Sequence, residues 1–165
     1  MRYKYCPECG EKAVLREIGD EGLIPYCEKC QRPWFDIFPT CVICAAVNEF
    51  GEVALIKQGY VTDANYICVA GYMKSGEAAE DAAAREVEEE IGLEATSVEY
   101  IRSYPYAKKD MLMLGFKVNV RKAELKLSCE VDSARWFSLD EARDFMREGS
   151  IAWQLVGEVA KGVKK

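Results

Sequence analysis

Residues 71–93 read GYMKSGEAAEDAAAREVEEEIGL, and seven of these side chains are carboxylates. Gly71 and Gly76 interrupt the front of the segment and Gly92 closes it, so the spacing predicts a helix over 78–91. Within that helix Glu86, Glu89 and Glu90 fall at i, i+3 and i+4, which puts all three on one face. Like charges so arranged repel, and Arg85 is the one cation beside them. Ala83, Ala84, Val87 and Ile91 supply an apolar face, so the helix is expected to dock with its carboxylates aimed at a defined place. Two readings follow from the residues alone. One is a solvated acidic face, the usual fate of a charge run. The other is a set of hard oxygen donors for Mg²⁺ or Mn²⁺. Such ions neutralise a pyrophosphate and lower the pKa of water. Calcium fits less well, because the segment has no EF-hand spacing.

The rest of the chain narrows the setting. It has 165 residues, enough for one ordinary domain with or without a small appendage, and a net charge of −6. That balance argues against a general nucleic-acid binder, which holds phosphates with Lys and Arg. There is no histidine, which removes Ser-His-Asp triads, Cys-His nucleophiles and imidazole metal sites together. No apolar run approaches the ~20 residues of a membrane span, and MRYKYCPECG lacks an apolar signal core. A cytoplasmic protein with no membrane partner is the expectation.

Eight cysteines without a secretion signal point to metal before disulfides. Cys6-Pro-Glu-Cys9 and Cys27-Glu-Lys-Cys30 form two CxxC pairs separated by 17 residues. Four thiolates so spaced can close a tetrahedral shell around structural Zn²⁺; a redox CxxC or a disulfide pair is the alternative. Gly10 follows the first pair, where a knuckle turn favours positive φ. AVLREIG and GLIPYC read as short strands around a Gly19–Gly22 turn. Residues 1–36 hold six Lys/Arg against seven Asp/Glu, so nucleic-acid binding by this part is not expected. Cys41-Val-Ile-Cys44 mimics the motif but lies in TCVICAAV, a strand whose positions three apart face opposite ways. Those two cysteines, with Cys68 and Cys129, are read as small buried hydrophobes.

A zinc ribbon over 1–36 and a second domain over 37–165 follow, with the boundary near Pro33 and Pro39. In the second, strands are expected at 41–47, 52–57, 66–69, 97–104, 111–120 and 134–137, and helices at 78–91, 139–147 and 151–162. Ile151, Leu155 and Val159 make the last a packing helix. The order gives an α/β (α+β) domain, a mixed sheet sandwiched by helices, preceded by a small β ribbon.

The spacing decides between the two readings of the acidic helix. Gly71, five residues, Glu77, seven residues, Arg85-Glu86-Val87, one residue, Glu89-Glu90, one residue, Gly92-Leu93 matches the Nudix box at every specified position. The chain resembles Nudix hydrolases, which split a nucleoside diphosphate linked to another moiety with Mg²⁺ or Mn²⁺. The resemblance implies Glu86 and Glu90 as principal metal ligands, with Glu89 a further ligand or a base through water. It implies Arg85 as the residue orienting the carboxylates, Glu77 as a loop support and the Ala70 carbonyl as a metal ligand. Glu80 and Glu88 are left as solvated charges.

A zinc ribbon ahead of such a domain resembles the NADH pyrophosphatase group. Glu130-Val-Asp-Ser-Ala-Arg-Trp-Phe137 is similar to that group's E-I-x-E-A-R-W-F segment. This implies Glu130 as an added metal ligand or general base, with Asp132 as the fallback and Trp136-Phe137 as core. The group's SQPWPFP signature corresponds to Ser103-Tyr-Pro-Tyr-Ala-Lys-Lys-Asp-Met-Leu-Met113. Ser103, Pro105 and the aromatic Tyr106 are kept, while Tyr104, Lys108 and Lys109 depart from it. These positions, with Gly71, Tyr72 and the Ser150–Ala152 segment, are the implied substrate pocket; Tyr72 either stacks on a base or simply packs. Two lysines in that register favour a substrate with an additional anionic group. The resemblance also implies a homodimer and a small-molecule nucleotide substrate. NAD(H)-like dinucleotides come first and ADP-ribose or nucleotide sugars second; a non-catalytic nucleotide sensor is the reading from another class.

Overall fold

The computed structural model describes residues 3–59 and 62–163. The chain divides into two compact units, Met1–Phe38 and Pro39–Lys165. The first holds three antiparallel strands, β1 (Val14–Glu17), β2 (Leu23–Cys27) and β3 (Arg32–Pro33), in the order β1-β2-β3. Gly10 and Gln31 each follow a cysteine pair and take left-handed φ of 73° and 56°. The two CxxC segments thus make the same knuckle turn, once with glycine and once with glutamine. Gln31 is held there by its Nε2, which donates to the Glu28 carbonyl.

The second unit is built on one mixed sheet. Its strands are β4 (Thr40–Val47), β5 (Glu52–Gln58), β6 (Thr62–Ile67), β7 (Val69–Tyr72), β8 (Ala95–Tyr106), β9 (Met111–Val120) and β10 (Ser133–Ser138). The order is β10-β5-β4-β9-β8, with β6 beside β5 and β7 beside β4. β4 and β9 run parallel and the other pairs antiparallel. Helices α1 (Ala79–Ile91) and α2 (Ile151–Val163) complete the unit.

Alternation along β4 shows why the sheet needs both helices. Val42, Cys44 and Ala46 pack with Val87 and Ile91 of α1. Ile43, Ala45 and Val47 pack with Leu155, Val156 and Val159 of α2. A strand covered on both faces reads as a continuous apolar run, which TCVICAAV is. The sheet is therefore the middle of a sandwich, and Cys41 and Cys44 are both buried, three residues apart on opposite faces.

Three expectations need correction. Residues 139–147 form a single 3₁₀ turn, Ala142–Phe145, and not an α-helix. Met146 is extended and bridges to Tyr66, so a tertiary contact ends the helical geometry after one turn. The strand expected at 66–69 is two strands that part at Cys68. Cys129 is exposed, because its segment crosses the end of α1 instead of entering the core. Among the described residues no helix is long and apolar enough to cross a membrane.

Candidate active site

The carboxylate helix is fixed at both ends by its own sequence. Before it, the Glu77 carboxylate accepts the Lys74 N–H at 2.8 Å and the Glu77 N–H donates to the Lys74 carbonyl at 3.2 Å. This folds Met73–Ala78 into a compact loop between β7 and α1. After it, Gly92 takes φ 68° and donates to the Glu88 carbonyl at 2.9 Å, a left-handed cap that favours glycine.

The apolar residues of α1 draw two of its carboxylates inward. Glu86 and Glu90 are 8% and 6% exposed, whereas Glu89 stays at the surface. Glu86 lies directly over Gly71, where a Cβ would collide with its carboxylate. Arg85 ties the group together. Its Nε and Nη2 make a two-point contact with Glu77 at 2.6 and 2.9 Å. Its Nη1 reaches Glu86 at 2.6 Å and Glu89 at 2.8 Å, and Nη2 also donates to the Tyr72 carbonyl at 3.2 Å. A planar guanidinium with five donors suits this task. It holds the Glu77 carboxyl down at about 2 and also depresses Glu89.

Glu90 has the opposite character. Burial first, then the charge on Glu86, pushes its carboxyl up to about 7. Gln58 Nε2 donates to Glu90 Oε1 at 3.3 Å, while Glu90 Oε2 is buried without a hydrogen-bond partner. A buried carboxylate oxygen of this kind calls for a cation or a proton. With Glu86 set against bare backbone at Gly71 and the carboxylates of Glu86, Glu89, Glu90 and Glu130 along one cleft, these hard oxygen donors fit Mg²⁺ or Mn²⁺.

The free carbonyls at the end of α1 position Glu130. Lys126 N–H donates to the Ile91 carbonyl at 3.0 Å and Ser128 N–H to the Glu90 carbonyl at 3.1 Å. These bonds satisfy helix-end acceptors and lay Ser128, Cys129 and Glu130 along the same cleft. Asp132 turns away: its Oδ2 accepts the Gly59 N–H at 2.6 Å, and it does not line the cleft.

The cleft has a volume of about 610 Å³. Of the residues expected in it, Ala70, Gly71, Tyr72, Arg85, Glu86, Glu89, Glu90, Tyr106, Lys109, Glu130 and Ala152 line it. Ser103, Tyr104 and Lys108 do not. Tyr104 is 4% exposed and packs in the core beside α2, over Gly115. Ser103 projects from the other face of β8, and Lys108 points to solvent from the turn that follows. Sequence reasoning missed Gln58, Met111 and Met113. Gln58 carried a usable signal: a polar residue closing the apolar strand EVALIKQ, and it is 3% exposed.

In the first unit, the sulfur atoms of Cys6, Cys9, Cys27 and Cys30 lie within 4.8 Å of one another. Cys6–Cys30 and Cys9–Cys27 are separated by 3.9 and 3.6 Å. A zinc tetrahedron with Zn–S bonds of ~2.3 Å has edges of about 3.8 Å, whereas a disulfide would need ~2.0 Å. The four thiols fit zinc.

Known proteins match this arrangement. The NUDIX domain model covers residues 38–154. The human NAD-capped RNA hydrolase NUDT12 is 30% identical over 155 residues, 90% of this chain and 34% of that protein. The NAD-capped RNA hydrolase NudC of Vibrio vulnificus is 31% identical over 155 residues, 93% of this chain and 58% of that protein. The chain thus spans between a third and three-fifths of the length of these relatives. A NUDIX hydrolase from Nitrosomonas europaea has the same fold, with a TM-score of 0.71 at 22% identity over 97% of this chain and 94% of that one. With its carboxylate helix, mixed sheet and most of its length inside the matched region, the chain belongs to the NUDIX domain family.

Proposed function

We propose that the protein hydrolyses the pyrophosphate bond of a nucleoside diphosphate linked to another moiety, with an NAD(H)-like dinucleotide as first candidate. ADP-ribose and nucleotide sugars come second. The observation that carries this reading is the pair Glu86 and Glu90, buried at one end of a 610 Å³ cleft with one carboxylate oxygen unpartnered. A sensor without catalysis has no use for that cost.

Glu86 and Glu90 would hold Mg²⁺ or Mn²⁺, with Glu89 and the Ala70 carbonyl as further donors. When bound, such an ion neutralises the diphosphate charge and lowers the pKa of water. Arg85 keeps Glu86 and Glu89 in fixed rotamers, and Gly71 leaves room for Glu86. Water attacks one phosphorus as the bond from that phosphorus to the bridging oxygen breaks, and two monophosphates leave. Glu130, which has no side-chain partner among the described residues, takes the proton from the water. Tyr72, 60% exposed at the cleft margin, offers a face for a base. Cys6, Cys9, Cys27 and Cys30 would hold a structural Zn²⁺, with every coordination position filled and none left for substrate.

The relatives' names place NAD at the end of an RNA, so the substrate panel must include an NAD-capped RNA beside NADH, ADP-ribose and a nucleotide sugar. The acidic balance of the chain favours the free dinucleotide over the RNA. Hydrolysis with two monophosphate products, and loss of about 10³-fold in kcat for Glu86→Gln at saturating Mn²⁺, is the expected result. Tight binding of every ligand with no turnover would replace the enzyme by a sensor.

A further inference from the structure

One cation of the cleft takes no part in the carboxylate network. Arg85 is engaged by Glu77, Glu86 and Glu89, and Lys74 Nζ pairs with Glu89 at 3.4 Å. Lys109 also lines the cleft and has no acidic partner among the described residues. It ends the 3₁₀ turn Ala107–Lys109 at the tip of the β8–β9 hairpin, where Asp110 takes φ 50° and turns the chain into β9. The wall beside it is apolar: Tyr106 pairs with Met111 across the hairpin, and Met113 pairs with Cys41 on β4.

Strand order separates Lys109 from the carboxylates. Glu86 rests on Gly71 of β7, and β7, β4 and β9 are successive neighbours. Two interstrand steps amount to about 10 Å. The hairpin tip lies further still, beyond the last β4–β9 pair at Thr40 and Leu112. Cys41 sits between the two ends and feels both. Burial and the Glu86 charge push its thiol up to about 11, and the Lys109 charge opposes them. Lys109 is thus separated from the carboxylate end of the cleft by the width of β4, with Cys41 between them.

We propose that Lys109 is a second anion-recognition point, and that the substrate is a nucleoside diphosphate derivative carrying a further phosphomonoester on the half that lies along the Met111–Met113 wall. The inference rests on the diphosphatase reading above. A neutral moiety closing over this wall would strip water from the ammonium and return only neutral hydrogen bonds. A phosphomonoester returns charge-assisted hydrogen bonds. It also needs such a partner, because Glu86, Glu89, Glu90 and Glu130 otherwise make the cleft repel added negative charge.

The test compares matched substrates differing by one phosphate: NADH with NADPH, and ADP-ribose with ADP-ribose 1″-phosphate. In at least one pair, kcat/KM is expected to favour the phosphorylated member by about tenfold, the range of one hydrogen-bonded charge. Lys109→Met should bring that ratio close to one, Lys109→Arg should keep it, and Lys108→Met should not move it. Equal turnover within both pairs, or a preference that survives Lys109→Met, overturns the assignment and leaves the diphosphatase reading standing. A ratio lowered equally by Lys108→Met overturns it too, because a diffuse field would then explain the preference. No turnover of any of the four overturns the diphosphatase reading and the assignment with it.

Discussion

Gly71 shows how a single residue can set the geometry of a site by what it lacks. Its φ lies outside the left-handed region, so alanine is compatible with the backbone there. What alanine cannot do is share space with the Glu86 carboxylate. Gly71→Ala is therefore expected to leave the far-UV circular dichroism and thermal midpoint close to wild type. It should lower kcat at saturating Mn²⁺ by about a hundredfold, the penalty of displacing a positioning group by roughly 1 Å. A variant with wild-type kcat would show that the position of Glu86 does not matter. At this scale the sequence was most legible where spacing alone places a side chain, as for Glu86, Glu89 and Glu90 on one helical face. It was least legible for the hairpin after β8. There, Lys108 and Lys109 are neighbours in one turn, yet only Lys109 reaches the cleft.

At the scale of elements, α1 is held by matched ends. Gly92 is both its left-handed cap and a point of close approach, since a Cβ there would lie 2.7 Å from the Lys126 Cβ. The Lys126 and Ser128 amides close the last carbonyls of α1 and in doing so carry Glu130 to the cleft. Gly92→Ala should cost about 1–2 kcal/mol from the left-handed backbone alone, and more from the clash, measured by urea unfolding. Activity should fall beyond what the lost stability explains, because the Glu130 segment must move. A variant with unchanged stability would mean that the cap is not used. Long elements with a strong pattern were readable from the chain: the apolar run of β4, the acidic helix, and the packing helix α2. The stretch 139–147 was not, because its helical pattern is overruled by the bridge between Met146 and Tyr66. No local signal encodes that contact.

At the scale of the whole molecule, the two units are stabilised by different physics. Pro39–Lys165 buries apolar clusters on both faces of a seven-stranded sheet. Among its described residues, Met1–Phe38 has three short strands, all four residues of β1 exposed, and few buried apolar side chains apart from Ala13, Pro25, Tyr26 and the cysteines Cys6 and Cys27. A unit below about 40 residues needs a metal or a covalent staple to fold. The four thiols, within 4.8 Å of one another, are placed to hold one. Contact with Cys9, then burial, pushes the Cys30 thiol up, whereas Cys6, against its burial, is brought down by backbone hydrogen bonds from Cys9 and Glu8; holding all four as thiolates takes a cation shared among them. One zinc per chain is therefore the expected stoichiometry by elemental analysis. Removing it with a strong chelator should release the amides of residues 3–38 to rapid hydrogen exchange, while those of β4, β9 and α1 stay protected. Cys27→Ser should give the same pattern without chelator, since three thiolates leave the tetrahedron open. If the amides of β1 and β2 remain protected after complete zinc removal, the small unit folds on its apolar contacts, and the cysteines have another purpose.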